Sequence, residues 1–114
     1  MLYFHKPLDE SFLIQIESIL KDHLSEPNFN AQSFSELMTM SRMQLHRKLM
    51  VLTALSTSQF IWSQRLKLSI TLLQESDLTV SEIAYQVGFN TASYFIKCFK
   101  EVYNCTPNSY IPKD

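Results

Sequence analysis

The chain has 114 residues, a formal net charge of −1 and 46% hydrophobic residues, which suits one small domain with a packed interior. One glycine and four prolines are too few turn formers for a β-rich domain, so an all-α fold is favoured. No apolar run reaches the ~20 residues that a membrane-spanning helix needs, and the start lacks a signal-peptide pattern. We therefore expect a cytoplasmic domain without membrane contact.

Residue patterns for catalysis or metal binding are not found in the sequence. Cys98 and Cys105 lack the spacing of a zinc site or a disulfide framework, and they are predicted to be reduced, part-buried thiols. The histidines lack metal-ligand spacing, and no Ser–His–Asp set, carboxylate pair or glycine-rich phosphate loop is present. We expect no catalytic residues, no metal and no cofactor.

The near-neutral net charge conceals a segregation along the chain. Residues 9–36 hold six acidic residues and one lysine, whereas residues 37–74 hold no acidic residue at all. The position of the charges, rather than their total, determines what a phosphate backbone would meet. The basic residues of the second segment are Arg42, Arg47, Lys48, Arg65 and Lys67.

Capping signals place the predicted helices in chain order. The first begins at Asp9, with Leu8 and Leu13 as a hydrophobic staple, and it ends before Pro27. Its apolar residues recur at helical spacing: Phe12, Leu13, Ile16, Ile19, Leu20 and Leu24.

Two shorter helices follow. One runs from Asn30 to about Met38, and the next begins at Ser41, with Gln44 completing a capping box, and runs to about Thr53.

The fourth predicted helix is the longest. It begins at Ser56, with Gln59 as its capping-box partner, and runs to about Gln74. A fifth helix begins at Thr79, with Glu82 as its partner.

The sixth helix begins at Asn90 or Thr91, after a turn that contains Gly88. The seventh is a short turn capped by Thr106, with Pro107 at its first position, where the missing N–H costs nothing.

The chain repeats itself at a spacing of 49 to 50 residues, which identifies two related units. Helices joined by a short turn with a glycine are typical of a helix-turn-helix, whose second helix enters a DNA major groove. Only Thr91 as the cap superposes the two apolar faces, so we prefer it to Asn90. The matched pairs are Asn30 and Thr79, Phe34 and Ile83, Met38 and Val87, Ser41 and Thr91, Leu45 and Phe95, Leu49 and Phe99, and Leu52 and Val102.

We predict one domain over residues 1–114, with a first unit at 8–54, a linker helix at 55–75 and a second unit at 76–112. A linker helix of about 18 residues spans roughly 27 Å, close to the ~34 Å of one DNA turn. Helices 41–53 and 91–103 could therefore enter adjacent major grooves of double-stranded DNA.

The outer face of the helix over 41–53 carries the first candidate DNA-binding residues. Arg47 is the best candidate for a bidentate contact with guanine, and Met43 could contact a thymine methyl. His46 could donate to a base or a phosphate, while Arg42 and Lys48 are better placed for phosphates. For the charged residues the plainer interpretation is an ordinary solvated face. For Met43 the plainer interpretation is packing, and for His46 it is an ordinary surface histidine.

The equivalent face of the helix over 91–103 is less polar. Ala92 and Ser93 allow close approach, Ile96 suits a thymine methyl, and Lys97 suits a phosphate. The candidate set is Thr91, Ala92, Ser93, Ile96 and Lys97. We expect the first unit to supply most of the hydrogen-bonded base readout.

The chain closely resembles the AraC/XylS-type transcription regulators over about residues 8–112. That resemblance implies seven helices in two homeodomain-like helix-turn-helix subdomains, and sequence-specific binding to promoters, usually as an activator. The base-reading positions it implies are those named above. The elements that carry it are Ile83-Ala84, Gly88-Phe89, Ser93-Tyr94-Phe95, Phe99-Lys100, Thr106-Pro107 and Tyr110, with Leu45-His46-Arg47-Lys48-Leu49, Phe60-Ile61 and Arg65-Leu66 in the first half.

The resemblance also implies partners. Members usually join this domain to a sensing or dimerisation domain, so we expect the chain to be the C-terminal part of a longer protein, with RNA polymerase as a partner. The segment over 7–24 resembles the entry to such domains in two-component response regulators and hybrid sensor kinases.

Three positions depart from the family pattern, which has glycine at Thr39 and commonly at Ala54 and Asn104. Asn tolerates a left-handed backbone, but a β-branched Thr does not. Either the first turn is built differently or it carries strain of about 1–2 kcal/mol. The missing glycines and low charge leave an alternative open, a helical protein–protein interaction domain derived from a helix-turn-helix.

Overall fold

The computed structural model describes residues 7–113, with side chains from residue 10 onward. This part of the chain is helical and contains no strand, which confirms the all-α prediction. It comprises α1 (Pro7–His23), α2 (Ala31–Leu37), α3 (Arg42–Thr53), α4 (Thr57–Glu75), α5 (Val80–Gln86), α6 (Ala92–Tyr103) and a 3-10 helix (Pro107–Tyr110).

The predicted caps are confirmed at the start of α2 to α6. The side chains of Ser41, Ser56 and Thr79 each accept a hydrogen bond from the backbone N–H of the residue three positions later. The side chain of that later residue in turn accepts a hydrogen bond from the backbone N–H of the capping residue. Thr91, not Asn90, is the N-cap of α6 and accepts from the N–H of Tyr94. These reciprocal bonds satisfy backbone donors that a helix start leaves free, so they fix where each helix begins.

The two ends of the chain differ from expectation. α1 begins at Pro7, two residues before the predicted Asp9. The side chain of Leu8 lies outside the described residues, so the predicted staple stays a prediction. Six α-helices are present in the described residues rather than seven, because the last element is a single 3-10 turn. Pro107 occupies its first turn as predicted, but the Thr106 side chain makes no capping bond.

Two hydrophobic cores share α4. Phe60 and Ile61 belong to the first core and Leu66 and Leu73 to the second. α1, α2 and α3 supply the rest of the first core, which contains Phe12, Ile16, Ile19, Leu24, Phe29, Phe34, Met38, Leu45 and Leu49. α5 and α6 supply the second core through Ile83, Ala84, Val87, Phe89, Phe95 and Phe99. One 19-residue helix, about 28 Å long, therefore carries both cores.

The apolar faces are narrower than the sequence pattern indicates. Leu52 and Val102, a matched pair in the repeat, were expected to face inward, but they are 43% and 54% exposed. Leu13 of α1 is 46% exposed. Two residues of each helix are buried: Leu45 and Leu49 in α3, and Phe95 and Phe99 in α6.

The turns that follow α2 and α5 have the same construction. Thr39 N–H donates to the carbonyl of Glu36 and Met40 N–H to that of Ser35, the two bonds of a Schellman motif. In the second turn Gly88 takes the place of Thr39, with φ of 107° against 55° for the threonine. The first turn is therefore not rebuilt around threonine. It keeps the left-handed backbone and its strain. Ala54 and Asn104 are also left-handed, at φ of 62° and 60°, and asparagine tolerates this backbone.

Replacing Thr39 by glycine should stabilise the fold. Removing the Cβ relieves about 1–2 kcal/mol of left-handed strain, while glycine costs about 0.5–1 kcal/mol of chain entropy. We expect Thr39→Gly to raise the free energy of unfolding by roughly 0.5–1 kcal/mol in urea denaturation. Asn104→Gly is the matched control and should change it little, because asparagine tolerates this backbone. An unchanged or less stable Thr39→Gly variant would show that the turn is unstrained.

Candidate nucleic-acid interface

The outer face of α3 presents most of its predicted residues to solvent. Arg42, Met43, His46 and Arg47 are all exposed, with Met43 at 61%. The capping box at Ser41 fixes the start of the helix from which they project. α3 contains no acidic residue, so the fixed charges that the helix contributes to this face, those of Arg42 and Arg47, are positive.

Arg47 is held along its own helix. Its Nη2 donates to the thioether sulfur of Met43, 3.1 Å away and one turn earlier. A thioether is a weak acceptor, so the guanidinium gives up little when it turns toward another partner. The contact aligns the fork along the helix surface and brings together the two residues that were predicted to touch base edges.

Lys48 is less free than its neighbours. It is half-buried, and its Nζ lies 4.9 Å from the centroid of the Phe12 ring in α1. This cation–π contact ties α3 to α1, so Lys48 has a packing role in addition to any contact with phosphate.

The corresponding face of α6 is divided. Ser93 and Lys97 are exposed, as is the capping residue Thr91. Ala92 and Ile96 are half-buried and pack against the second core. The part of Ile96 that remains exposed is small, so the thymine-methyl contact predicted for it is available only to a closely approaching base.

Two shallow depressions connect the starts of α3 and α6. The first is lined by Arg42, Met43, His46 and the start of α4, together with Ala31 and Ser58. The second, of about 230 Å³, is also lined by Ala31 and Ser58 and extends past Trp62 to Asn90. Asn90 directly precedes Thr91, the cap of α6. Since the depressions share two residues, the N-terminal ends of α3 and α6 open onto one continuous surface, which we call the shared face.

Arg65 does not belong to the exposed basic set in which the sequence placed it. It is only 2% exposed, and its guanidinium donates to the backbone carbonyls of Leu24, Glu26 and Phe29. Burial lowers the pKa of Arg65 from its ordinary value, but a guanidinium remains protonated in proteins. This residue therefore cannot meet a phosphate, and the segregated basic charge is smaller than the sequence count.

Lys67 also lies away from the shared face. It is exposed, but it lines a groove between α1 and α4 with Glu17 and Lys21. Lys67 follows Ser58 by nine residues, two and a half helical turns, which places it on the opposite side of α4.

Aromatic packing positions the start of α6. The Trp62 ring lies 5.1 Å from the ring of Phe89 and 5.5 Å from that of Tyr94, so α4, the second turn and α6 are held together. Trp62 is half-buried and packs against the second core. The structural role of Arg65 was not predicted from the sequence. The signal that could have indicated it is spacing, because Arg65 lies four residues from both Ile61 and Ser69, on the buried face of α4.

The predicted thiols are confirmed as half-buried and unpaired, and burial raises the pKa of the Cys98 thiol. Over residues 7–113, no cluster of His, Cys, Asp and Glu could hold a metal ion. None of the helices described is long and apolar enough to span a membrane.

Residues 34–112 match the family model of a helix-turn-helix domain, a range that runs from the second half of α2 through the 3-10 helix. The chain belongs to the AraC-type helix-turn-helix family. It is therefore a DNA-binding domain of transcription regulation, and the family is one of regulator domains rather than enzymes.

Known proteins agree with this assignment. The chain is 35% identical over 103 residues to "Histidine kinase P4" of Formosa agariphila and 31% identical over 99 residues to the "HTH-type transcriptional activator RhaS" of Salmonella arizonae. These matches cover 90% and 87% of this chain but only 8% and 35% of those proteins. The fold also resembles the DNA-binding domain of the global transcriptional factor AdpA, solved in complex with a target DNA. The TM-score is 0.73 and the identity 27%, covering 93% of this chain and 90% of that one.

Removing the cap of α6 should loosen the start of that helix. Thr91→Ala deletes the acceptor for the Tyr94 N–H, a bond of 3.1 Å, and should lower the free energy of unfolding by about 1 kcal/mol. Urea denaturation measures the loss, and Thr91→Ser is the matched control, because it keeps the hydroxyl. If the alanine variant unfolded at the same midpoint as the serine variant, the cap would not contribute.

Proposed function

We propose that this domain binds double-stranded DNA through the shared face, with α3 and α6 entering adjacent major grooves of one duplex. The observation that carries the proposal is the continuity of that face from Arg42 on α3 to Asn90 before α6. Two helices that start at one surface, on cores tied by a rigid helix, can approach a duplex together. The AdpA domain, which is similar over most of its length, was solved with DNA.

In this proposal the first unit reads bases by hydrogen bonds. Arg47 supplies a bidentate fork for guanine, and Met43 beside it supplies apolar contact for a thymine methyl. His46 donates to a base or a phosphate, while Arg42 and Lys48 bind phosphates and so set position rather than specificity.

The second unit contributes close approach and one phosphate contact. Thr91, Ala92 and Ser93 bring the backbone of α6 near the groove, Lys97 binds a phosphate, and Ile96 offers its exposed edge to a thymine methyl. Base discrimination is then concentrated in α3, because α6 presents few hydrogen-bonding groups.

The whole protein is proposed to be larger. The chain corresponds to a small share of each relative, and one of these is a histidine kinase. We infer an upstream sensing or dimerisation domain in a two-component or related regulator, acting at promoters as an activator with RNA polymerase as a partner. We propose unit limits at 8–54, 55–75 and 76–112, and the presence of two cores that share α4 supports this division.

Binding should weaken steeply as salt rises. Each phosphate that is neutralised releases counterions, and the logarithm of the binding constant falls with log salt at about −0.9 per phosphate. With three phosphate-binding cations, Arg42, Lys48 and Lys97, the slope should be about −3 or steeper. Fluorescence anisotropy with a labelled duplex between 50 and roughly 300 mM salt measures it. A flat dependence would contradict DNA binding through this face.

Arg47 and Lys48 should behave differently when truncated. Arg47→Ala should cost about 1–3 kcal/mol on the preferred site and relax the preference at one position. Lys48→Ala should weaken all sequences alike and reduce the salt slope by about 1. Selection from a random oligonucleotide pool, followed by anisotropy, separates the two effects. Lys67→Ala is the matched control and should bind normally, since Lys67 lies on the far side of α4. Equal losses of affinity in Lys67→Ala and Lys48→Ala would show that DNA binds a surface other than the shared face.

A protein-interaction role is the second candidate, and one observation favours it. The last turn of α3 exposes three consecutive apolar residues, Met50, Val51 and Leu52, with Val51 at 84%. This patch lies at the opposite end of α3 from Arg42 and Met43, so it could be covered by protein while α3 contacts DNA.

A further inference from the structure

Arg65 occupies the place where the two halves of the molecule meet. It lies on α4, and its Nε donates to the carbonyl of Leu24 at 2.9 Å. Its Nη2 donates to the carbonyls of Glu26 and Phe29, at 2.8 and 3.2 Å. These three carbonyls belong to the segment between α1 and α2, so one side chain of α4 holds the connection on which the first core depends.

The second unit rests on the same side chain. A Cβ placed on Gly88 would lie 2.8 Å from Arg65 Nε and 3.0 Å from the carbonyl oxygen of Leu24. Such distances show that the turn before α6 sits directly against the Arg65–Leu24 hydrogen bond. We call Arg65, Gly88 and residues 24–29 the Arg65 joint.

Apart from this joint, the two halves reach each other mainly through α4. α2 and α3 pack on α4 on one side, and α5, α6 and the 3-10 helix pack on it on the other. The Trp62 ring, which packs at a tilt against Phe89 of the second turn, also lies 5.3 Å from the Arg65 guanidinium. The aromatic contact that positions α6 is therefore built on the same arginine.

We propose that Arg65 is a positioning residue that fixes the relative placement of α3 and α6 and thereby sets the half-site spacing that the domain accepts. The part about spacing rests on the proposed function. Arg65 reaches no DNA itself, because it is buried. It acts by holding residues 24–29, between α1 and α2, against the turn that contains Gly88. A lysine cannot replace it, since its single ammonium lacks the planar fork that reaches three carbonyls.

The first test compares binding to sites of different spacing. One inserted base pair turns the second half-site by about 35°, because a DNA turn holds about 10–10.5 base pairs. The unmodified chain should lose about tenfold or more in affinity on such a site, the order of effect of one lost base contact. Arg65→Lys should bind the reference site more weakly, yet the penalty for the insertion should shrink to about threefold or less. An undiminished penalty would overturn the assignment.

The matched control is Leu66→Val, the neighbouring residue of α4. Leu66 is buried in the second core, and its hydrocarbon side chain cannot donate a hydrogen bond to the carbonyls of the joint. It should weaken binding only through stability and leave the insertion penalty unchanged. If Leu66→Val and Arg65→Lys reduced the penalty equally, loosening of the core rather than the joint would explain the effect.

The second test needs no DNA, so it separates failure of this inference from failure of the proposed function. Spin labels at Val51→Cys on α3 and Glu101→Cys on α6, matched positions of the repeat, report the distance between the two helices once Cys98 and Cys105 are replaced by serine. The distance distribution should broaden in Arg65→Lys and stay narrow in Leu66→Val. An unchanged width would overturn the inference even if the chain binds DNA.

Folding of Arg65→Lys is checked by circular dichroism, and Gly88→Ala serves as a second variant. Its added methyl group displaces the guanidinium from the other side of the joint, so it should broaden the same distribution. If both variants folded and neither changed the width of the distance distribution, Arg65 would contribute only to stability, and the inference would be wrong.

Discussion

The hydrogen bonds of one buried guanidinium determine how the rest of this structure is assembled. Burying a charge is costly unless it is bonded, and Arg65 meets that cost with three backbone carbonyls instead of a carboxylate. Those carbonyls come from a connection without regular secondary structure, which otherwise would have to satisfy its polar groups with water. The arginine therefore orders the segment between α1 and α2, and that order is what allows Gly88 and the second turn to pack so closely.

The two helix-turn-helix units have the same backbone construction, but their second helices present different side chains. Both second helices follow a Schellman turn, begin at a hydroxyl cap and end at a left-handed residue, Ala54 in α3 and Asn104 in α6. α3 then presents a cationic outer face, whereas α6 sits in an aromatic cluster and presents small side chains. Under the proposed mode of DNA binding, this difference concentrates base discrimination in α3.

Much of this fold could be predicted from the sequence, because the caps are local. Ser41, Ser56 and Thr79 specify helix starts through bonds to residues three positions away, and the 50-residue repeat selected Thr91 over Asn90 correctly. The helix ends and the buried stripes were less predictable. Leu52 and Val102 fit the apolar period, yet they are 43% and 54% exposed, because period alone does not show whether another element covers a residue. Arg65 was assigned to the basic surface because its partners are carbonyls more than 35 residues away, which no local pattern reveals. For the candidate site, exposure on α3 followed from the period, while the half-burial of Lys48 and Ile96 depended on tertiary contacts.

The strain at Thr39 and the rigidity at Arg65 have a common consequence for the placement of α3. α3 is only 12 residues long and is anchored chiefly by two buried side chains, so its own packing leaves its direction weakly specified. Direction must then come from the ends: the cap and turn at the start, and the shared helix α4 beneath. A turn that stays left-handed despite a β-branched residue shows that the entry angle of α3 is imposed by the surrounding fold rather than by local preference. If the two helices enter adjacent grooves as proposed, such an imposed angle defines their relative placement more sharply than a locally relaxed turn would.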